Sequence, residues 1–595
     1  GGWLLDCIME SSGWFYKQPI REGRKTTVYV LPTPEFLDVK DEVMANAELF
    51  SPLAWPMLIE PNDWEADGTE GGYILNEVMK GHDLVRRGER HRIQGEIPID
   101  FLNKIQKVGY KLNPFVVKTA KFLEEKGVNV GKFLPIVDYH LPPKPVDIAD
   151  NEEAKRKYRR DAAEVMNKRA QEVRRTCRTR MTMKAVERFE DRDVFYIPWS
   201  FDYRGRAYPI PAFLTPQDTD FGKSLIRFSN ESDVTHDSHK WLAFQVATTY
   251  GKDKDTWDER QQWVQDNLEL ITNVATDPIT YRPDWENVEE PWQFLAACHE
   301  YYHCVVLQDR LTTGLMIATD ATCSGLQILA GLARDKSTAK LVNVLPSKRP
   351  QDAYKVVAEK AKPNIPKVLH PVWSRKEVKR TVMTIPYNAK PFSNRSYIRD
   401  ALLEKGVEID KEDLTIVVQA VRAAMNDVVP GPMAVMKWIE TEVAKIIKSG
   451  VEVLEWVTPS GFVVSQRLMK HETQTIRLQL LGRCELQIAK ETDEVSITRH
   501  KAATAPNLIH SLDASLLHLS VPKFNKPIAL IHDSVLCRAT DMSTLSSLVR
   551  ETYMELFANQ NYLTDFASQI GAESEPPIIG DLQPETVIDS TYFFC

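Results

Sequence analysis

No run of residues in this chain approaches the ~20 consecutive apolar positions that a membrane-crossing helix requires, so a helical anchor is excluded and no membrane partner is expected. A charged opening followed by an apolar signal core is also missing. The first residues are Gly1-Gly2-Trp3 rather than Met, and the start of the chain therefore says nothing about targeting. The eight cysteines are scattered without a CxxC pair, which fits thiols kept reduced inside a cell better than a disulfide framework. There is no internal repeat and no low-complexity tract, which removes repeat arrays and wholly disordered chains. Nor is there an overall excess of positive charge. The formal net charge is −8, which taken over the whole chain argues against a polyanionic partner.

Read by segment, the charge points the other way. Between Lys155 and Arg188, thirteen Lys and Arg residues stand against four Asp and Glu. Nearly free of Gly and Pro, this stretch predicts a long helix with cations on successive turns. Such a rod can lie along a phosphate backbone and release counterions, although a merely solvated helix has the same composition. The remainder is ordinary globular material, 43% hydrophobic and 27% charged over 595 residues, enough for several cores. Residues 14–31 read as a hairpin with a basic tip. Helical pattern runs from about 98 to 127, a Pro-rich break falls at 142–145, short strands and turns begin near 196, and a strand-rich patch occupies 451–499. The class is α+β, predominantly helical.

Three constellations carry chemistry. The apolar run Leu315–Ala318 ends at Asp320 and gives way to small residues; far downstream, two apolar runs meet at His532-Asp533-Ser534. Each aspartate alone reads more readily as a turn or capping residue. Together they are carboxylates at the ends of buried strands, expensive to ionise without a compensating cation. Such a pair can share two Mg²⁺ ions about 3.5–4 Å apart for phosphoryl transfer. The third constellation is residues 375–387, where Arg375, Lys379, Met383 and Tyr387 advance by only ~40° per step around a helix. Cations on that stripe suit a triphosphate, and its apolar and aromatic members suit a base and sugar; an amphipathic helix with a basic end gives the same pattern.

Asp320 with its small-residue turn, the RxxxKxxxMxxxY helix and Ile531-His532-Asp533-Ser534 together resemble the catalytic signatures of the single-subunit, phage-type RNA polymerases, a family that includes mitochondrial enzymes. Asp202-Tyr203-Arg204-Gly205-Arg206 resembles the family's DxxGR loop, Ala505–Ser511 the segment ahead of the second aspartate, and Tyr592-Phe593-Phe594-Cys595 its C-terminal foot. The matches run in order from about residue 13 to the terminus.

The resemblance implies a right-handed polymerase: a reduced N-terminal domain over 1–109 with a DNA-melting hairpin at 14–31, a thumb over 110–195, palm over 196–340 and 507–595, and fingers over 341–506. It implies two Mg²⁺ ions on Asp320, Asp533 and the carbonyl of Ala321. Arg375, Lys379 and Lys254 would grip the triphosphate with Met383 beside them, Lys379 also serving the leaving group, and Tyr387 would sense the ribose. Arg206, Tyr208, Lys223 and His510 would contact the hybrid or the 3′ end. A hairpin over 468–500 would read promoter DNA, with Arg477, Arg483 and Arg499 as candidates. The implied partners are double-stranded promoter DNA, a template strand, nascent RNA and nucleoside triphosphates, and the implied state is a monomer. Short length and a lack of long insertions point to a phage enzyme in the cytoplasm of an infected bacterium, with a mitochondrial setting as the alternative.

Similar DNA polymerases carry a glutamate five residues after the first aspartate, where its bulk excludes a 2′-hydroxyl. This chain has Gly325 there, which favours RNA over the alternative DNA product. It departs from the family pattern at Pro386, expected to loosen the last helical turn, and at Asn388, where Gly is usual and Asn tolerates the left-handed conformation. One further motif competes: His299-Glu300-Tyr301-Tyr302-His303 fits the HExxH pattern of zinc proteases. No third ligand is evident, and its helix is expected to lie beneath the palm.

Overall fold

Like charges on successive turns weaken a helix, yet Glu152–Phe189 is one helix of 38 residues. Asn151 starts it by accepting from the amides of Glu153 and Ala154 at 3.0 and 3.1 Å. Its C-terminal part is the anchor: Met183, Ala185, Val186 and Phe189 are buried, Thr179 accepts from the Leu134 amide at 3.0 Å, and Arg178 pairs with Asp218 at 2.6 Å. The basic helix read from the sequence is therefore present and tethered at one end.

The structure is a computed structural model describing residues 2–22, 25–36, 54–74, 82–86, 92–135, 141–145, 148, 150–478, 484–558, 561–578 and 580–594. Two units divide the chain, residues 1–53 with 468–496 and residues 54–467 with 497–595. In the smaller unit, Phe15–Glu22 pairs antiparallel with Lys25–Pro32, the hairpin expected over 14–31. A second hairpin joins Met469–Leu478 to Cys484–Val495, with an irregularity between Met469 and His471, inside the expected span 468–500.

The larger unit is mixed. Among the described residues its strands form sheets of only two or three, and helices carry most of the architecture. The helical reading of 98–127 needs correction. Helices Glu96–Gln106 and Pro114–Glu125 are separated by a strand, Gly109–Leu112, which pairs with Phe195–Tyr196 on one side and Ile226–Phe228 on the other. Tyr110 is fully buried there, and a side chain at Gly109 would come within 2.5 Å of the Ser229 hydroxyl. Asn113 then caps the following helix, with Pro114 in its first turn.

The sheet that positions the site has Ile317–Thr319 and Ile528–Ile531 on either side of Ser534–Cys537, all antiparallel. Most of its side chains are buried, as the apolar runs require. His532 and Asp533 form the two-residue turn between its last strands. His532 has φ 58°, the left-handed conformation a tight hairpin demands at its first central position. The helix Ile497–Phe524 precedes this hairpin and lies largely buried.

Candidate active site

Strand register decides where the two aspartates fall. Thr319 pairs with Val535 and Ile531 with Ser534, so Asp320 comes level with Ser534 and Asp533 occupies the adjoining turn. The Ser534 hydroxyl donates to Asp320 Oδ1 at 2.6 Å. Asp320 reaches solvent, but protein crowds it closely. That crowding, and after it the charge of Asp533, holds its carboxyl above the ordinary range, opposed by Ser534, the Ala321 amide and Lys254. A carboxylate held above its ordinary range by a neighbouring one is suited to share a divalent cation with it. Magnesium in particular takes one or two carboxylates and completes its shell with water and phosphate oxygens.

The turn after Asp320 is held from behind. Ala321 bridges to Phe594, Thr322 Oγ1 donates to the Tyr592 carbonyl at 3.0 Å, and Gln327 Nε2 donates to the Phe593 carbonyl at 3.0 Å. Cys323 takes φ 61° at the start of the helix Ser324–Ala333, a conformation costly for a residue with a Cβ. Burial pushes its thiol up to about 11.

The cationic stripe lies on the helix Arg375–Thr384, opened by a capping box between Ser374 and Glu377. Lys379 and Met383 are exposed. Arg375 is ion-paired with Asp352, and its guanidinium lies 5.2 Å from the centre of the Tyr354 ring. Tyr354 in turn shares a hydrogen bond with Cys323, which links the stripe to the loop after Asp320. The helix ends at Thr384, before Pro386, and Asn388 has φ 61°. The Asn388 side-chain amide donates to the carbonyls of Lys501 and Ala502 at 3.2 and 3.1 Å. Tyr387 is thus set by a turn rather than by helix. A Cβ on Gly325 would sit 3.0 Å from the Tyr387 hydroxyl, and the Tyr387 and His510 rings lie 4.8 Å apart. Burial raises the phenol's pKa above its ordinary value.

The other expected residues fall in different places. Lys254 is near enough to Asp320 for its charge to be felt there. Arg206 is buried and grips Asp513 through Nε at 3.0 Å and through Nη2. Burial keeps the Asp513 carboxyl high despite that partner. Tyr208 lies 5.1 Å from the His532 ring. Burial, followed by Arg206 and Arg204, drives His510 down to about 2, so its ring is neutral. Lys223 sits beside Asp218 and Glu290. Arg477 stands opposite Glu485 on the long hairpin, and Arg499 is near Tyr203. Arg483 lies outside the described residues.

Sequence reasoning missed Ser534, Asp513 and Asp352 as partners of the site. Ser534 and Asp513 carry local signals, one beside Asp533 and the other three residues after His510 on a helix. Asp352 carries none.

The HExxH motif is put to other uses. Glu300 is buried and accepts from Arg227 at 3.0 Å, Arg310 at 2.7 Å and the Thr313 hydroxyl at 2.6 Å. His299 stacks on Phe115 with ring centres 3.9 Å apart, its pKa lowered to about 3 by burial and then by His303. His303 contacts Asp309 at 2.9 Å. Glu300→Gln is expected to cost about 1–3 kcal/mol by removing the charge that Arg227 and Arg310 share, Arg227 keeping its pair with Glu231 at 3.1 Å, measured as a lower urea midpoint.

Paired carboxylates, a helix bearing Arg375 and Lys379, and a phenol thus meet in an α+β protein. The comparisons sharpen that class. A family model described as DNA-dependent RNA polymerase matches residues 232–583, and the chain belongs to that family. It is 27% identical over 580 residues to the mitochondrial DNA-directed RNA polymerase 1 of Arabidopsis thaliana, covering 91% of this chain and 58% of that protein. It is 26% identical over 679 residues to the DNA-directed RNA polymerase of Enterobacteria phage K11 and 25% over 673 to that of Enterobacteria phage T3. Each of these covers 99% of this chain, and 74% and 76% of the relative. The chain therefore spans less than three-fifths of the length of the plant relative.

Proposed function

We propose that the protein is a DNA-dependent RNA polymerase that adds ribonucleoside monophosphates to an RNA 3′-hydroxyl on a DNA template. The observation that carries this is the register bringing Asp320 and Asp533 to one end of a buried sheet, with the Ser534 hydroxyl donating to Asp320. Asp320, Asp533 and the Ala321 carbonyl are the groups that would hold two Mg²⁺ ions. Bound there, the metal would lower the cost of charge on the attacking and leaving oxygens.

Around that centre, Arg375, Lys379 and Lys254 bind the triphosphate, and Lys379 supplies a proton to the departing pyrophosphate. Arg375 must share itself between Asp352 and phosphate, so Asp352 orients it without neutralising the exposed Lys379. Tyr387 and Gly325 flank the sugar, the phenol offering a hydrogen bond and the missing side chain offering room. Arg206 acts through Asp513 to brace the loop, while Tyr208 and His510 contact the hybrid; Lys223 serves the nucleic acid further out. In this reading 196–340 and 507–595 form a palm, 341–506 fingers and 110–195 a thumb with the basic helix along the duplex. The hairpins 15–32 and 469–495 melt and read promoter DNA, Arg477 and Arg483 being the readers on the second. The protein acts as a monomer on phage promoters in an infected bacterium, organellar transcription being the alternative that the plant relatives favour.

The test is run-off synthesis on phage-type genomic DNA with Mg²⁺, comparing ribonucleotides and deoxynucleotides side by side and mapping RNA 5′ ends. Ribonucleotide products with defined starts support the proposal; deoxynucleotide preference or no extension overturns it. Tyr387→Phe removes only the phenol oxygen, so discrimination between the two sugars is expected to fall by roughly 2–10-fold, the scale of one hydrogen bond, with overall extension largely kept.

A further inference from the structure

The turn Asp202–Arg206 bears on His510 through Arg204. Arg204 Nη1 lies 2.6 Å from His510 Nδ1. A guanidinium has donors only and stays protonated, so Nδ1 must accept. The ring is neutral, because a protonated imidazole would turn an N–H toward Arg204 with Arg206 also close by. The single ring proton is therefore on Nε2. Among the described residues no protein group takes that proton by a hydrogen bond, and His510 is partly exposed beside Tyr387.

Arg204 is itself held firmly. Its Nε donates to Asp202 Oδ2 at 2.9 Å, while Asp202 Oδ1 accepts from the amides of Arg204 and Arg206 at 2.9 and 3.2 Å. The Gly205 carbonyl accepts from His518 Nε2 at 2.9 Å, and His518 Nδ1 faces Ser460 Oγ at 2.9 Å. The turn is thus fastened at two histidines of one helix, Ile497–Phe524. The two fastenings differ in purpose. His518 is fully enclosed and both its nitrogens are satisfied, which is a structural bolt. His510 is bonded on one nitrogen only.

We propose that Arg204 is a positioning residue that selects the Nε2–H tautomer of His510, so that the ring presents a fixed donor to a sugar or phosphate oxygen bound next to Tyr387. The inference rests on the polymerase reading above. Without Arg204, His510 takes either tautomer and spends part of its time as an acceptor facing an oxygen, which repels.

The test is steady-state single-nucleotide addition on a primed template by the full chain, for Arg204→Met, Arg204→Lys and His510→Gln, and for Arg204→Met combined with His510→Gln. Arg204→Met should raise the nucleotide or primer KM about 3–10-fold, with kcat changed less. Arg204→Lys keeps a donor on Nδ1 and should restore most of the loss. In the His510→Gln background, which has no tautomers, Arg204→Met should add little. An equal penalty in both backgrounds, or failure of lysine to rescue, overturns the proposal and makes Arg204 only a brace for the turn. Template binding by each variant, followed by fluorescence anisotropy, separates misfolding from a changed donor. Wild-type protein that adds no nucleotide would instead reject the polymerase reading itself.

Discussion

Asp533→Asn should reduce nucleotide addition by about 10²–10³-fold or more while template affinity stays within about twofold. Asparagine has the shape of aspartate but no charge to hold a cation. The turn that carries it is fixed by strand pairing on both sides, so the fold has little reason to respond. Relief of the repulsion on Asp320 does not compensate, since a lone carboxylate is a weak site for a hard cation. Asp320→Asn should behave alike, because its amide oxygen can still accept from Ser534. The measurement is the single-turnover rate beside anisotropy on the same DNA. Near-normal addition by either variant would remove the carboxylate pair from the chemistry.

Gly325→Glu should cut ribonucleotide use by roughly 10–200-fold, the range over which a misfit at a shaped pocket discriminates, with a smaller loss for deoxynucleotides. Even a methyl group at this position would begin 3.0 Å from the Tyr387 hydroxyl and 3.2 Å from its Cζ. The phenol must therefore yield, and in the proposed site a longer acidic chain would fill the space left for a 2′-hydroxyl. Gly325→Ala separates the two effects: it nudges Tyr387 and adds helix propensity of about 1 kcal/mol, so it should be stable and only mildly impaired. Competition between ribonucleotide and deoxynucleotide at one template position gives both numbers. Unchanged selectivity in the glutamate variant would show that the sugar lies elsewhere.

Much of this was readable before any coordinates. Asp320 and Asp533 each end an apolar run, and a strand cannot bury such runs without delivering its terminal residue to an edge of the core. The stripe Arg375, Lys379 and Met383 follows from helical periodicity and the stop before Pro386 from the missing amide, but Tyr387, expected on the same stripe, is carried by the turn that follows. Legibility failed where a partner lies far along the chain. Asp513 and Arg206 are 307 positions apart, and no periodicity couples them. It failed also at Gly109–Leu112, where apolar spacing continues across a short strand and imitates one long helix. The histidines show a third limit. His299, His510 and His518 look equally reactive as letters, and only their surroundings sort a ring stacked on Phe115 from one held by Arg204 and one bolted to Gly205.

The backing of the loop after Asp320 by residues 592–594 has a consequence for biosynthesis. Thr322 meets the Tyr592 carbonyl across 270 positions, so a ribosome must translate some 270 further codons after this loop before the first aspartate gains its support. A nascent chain interrupted between residues 534 and 591 carries both acidic residues and the cations of the helix Arg375–Thr384 but lacks the segment 592–594 that backs the loop. Abortive translation products should therefore be catalytically silent.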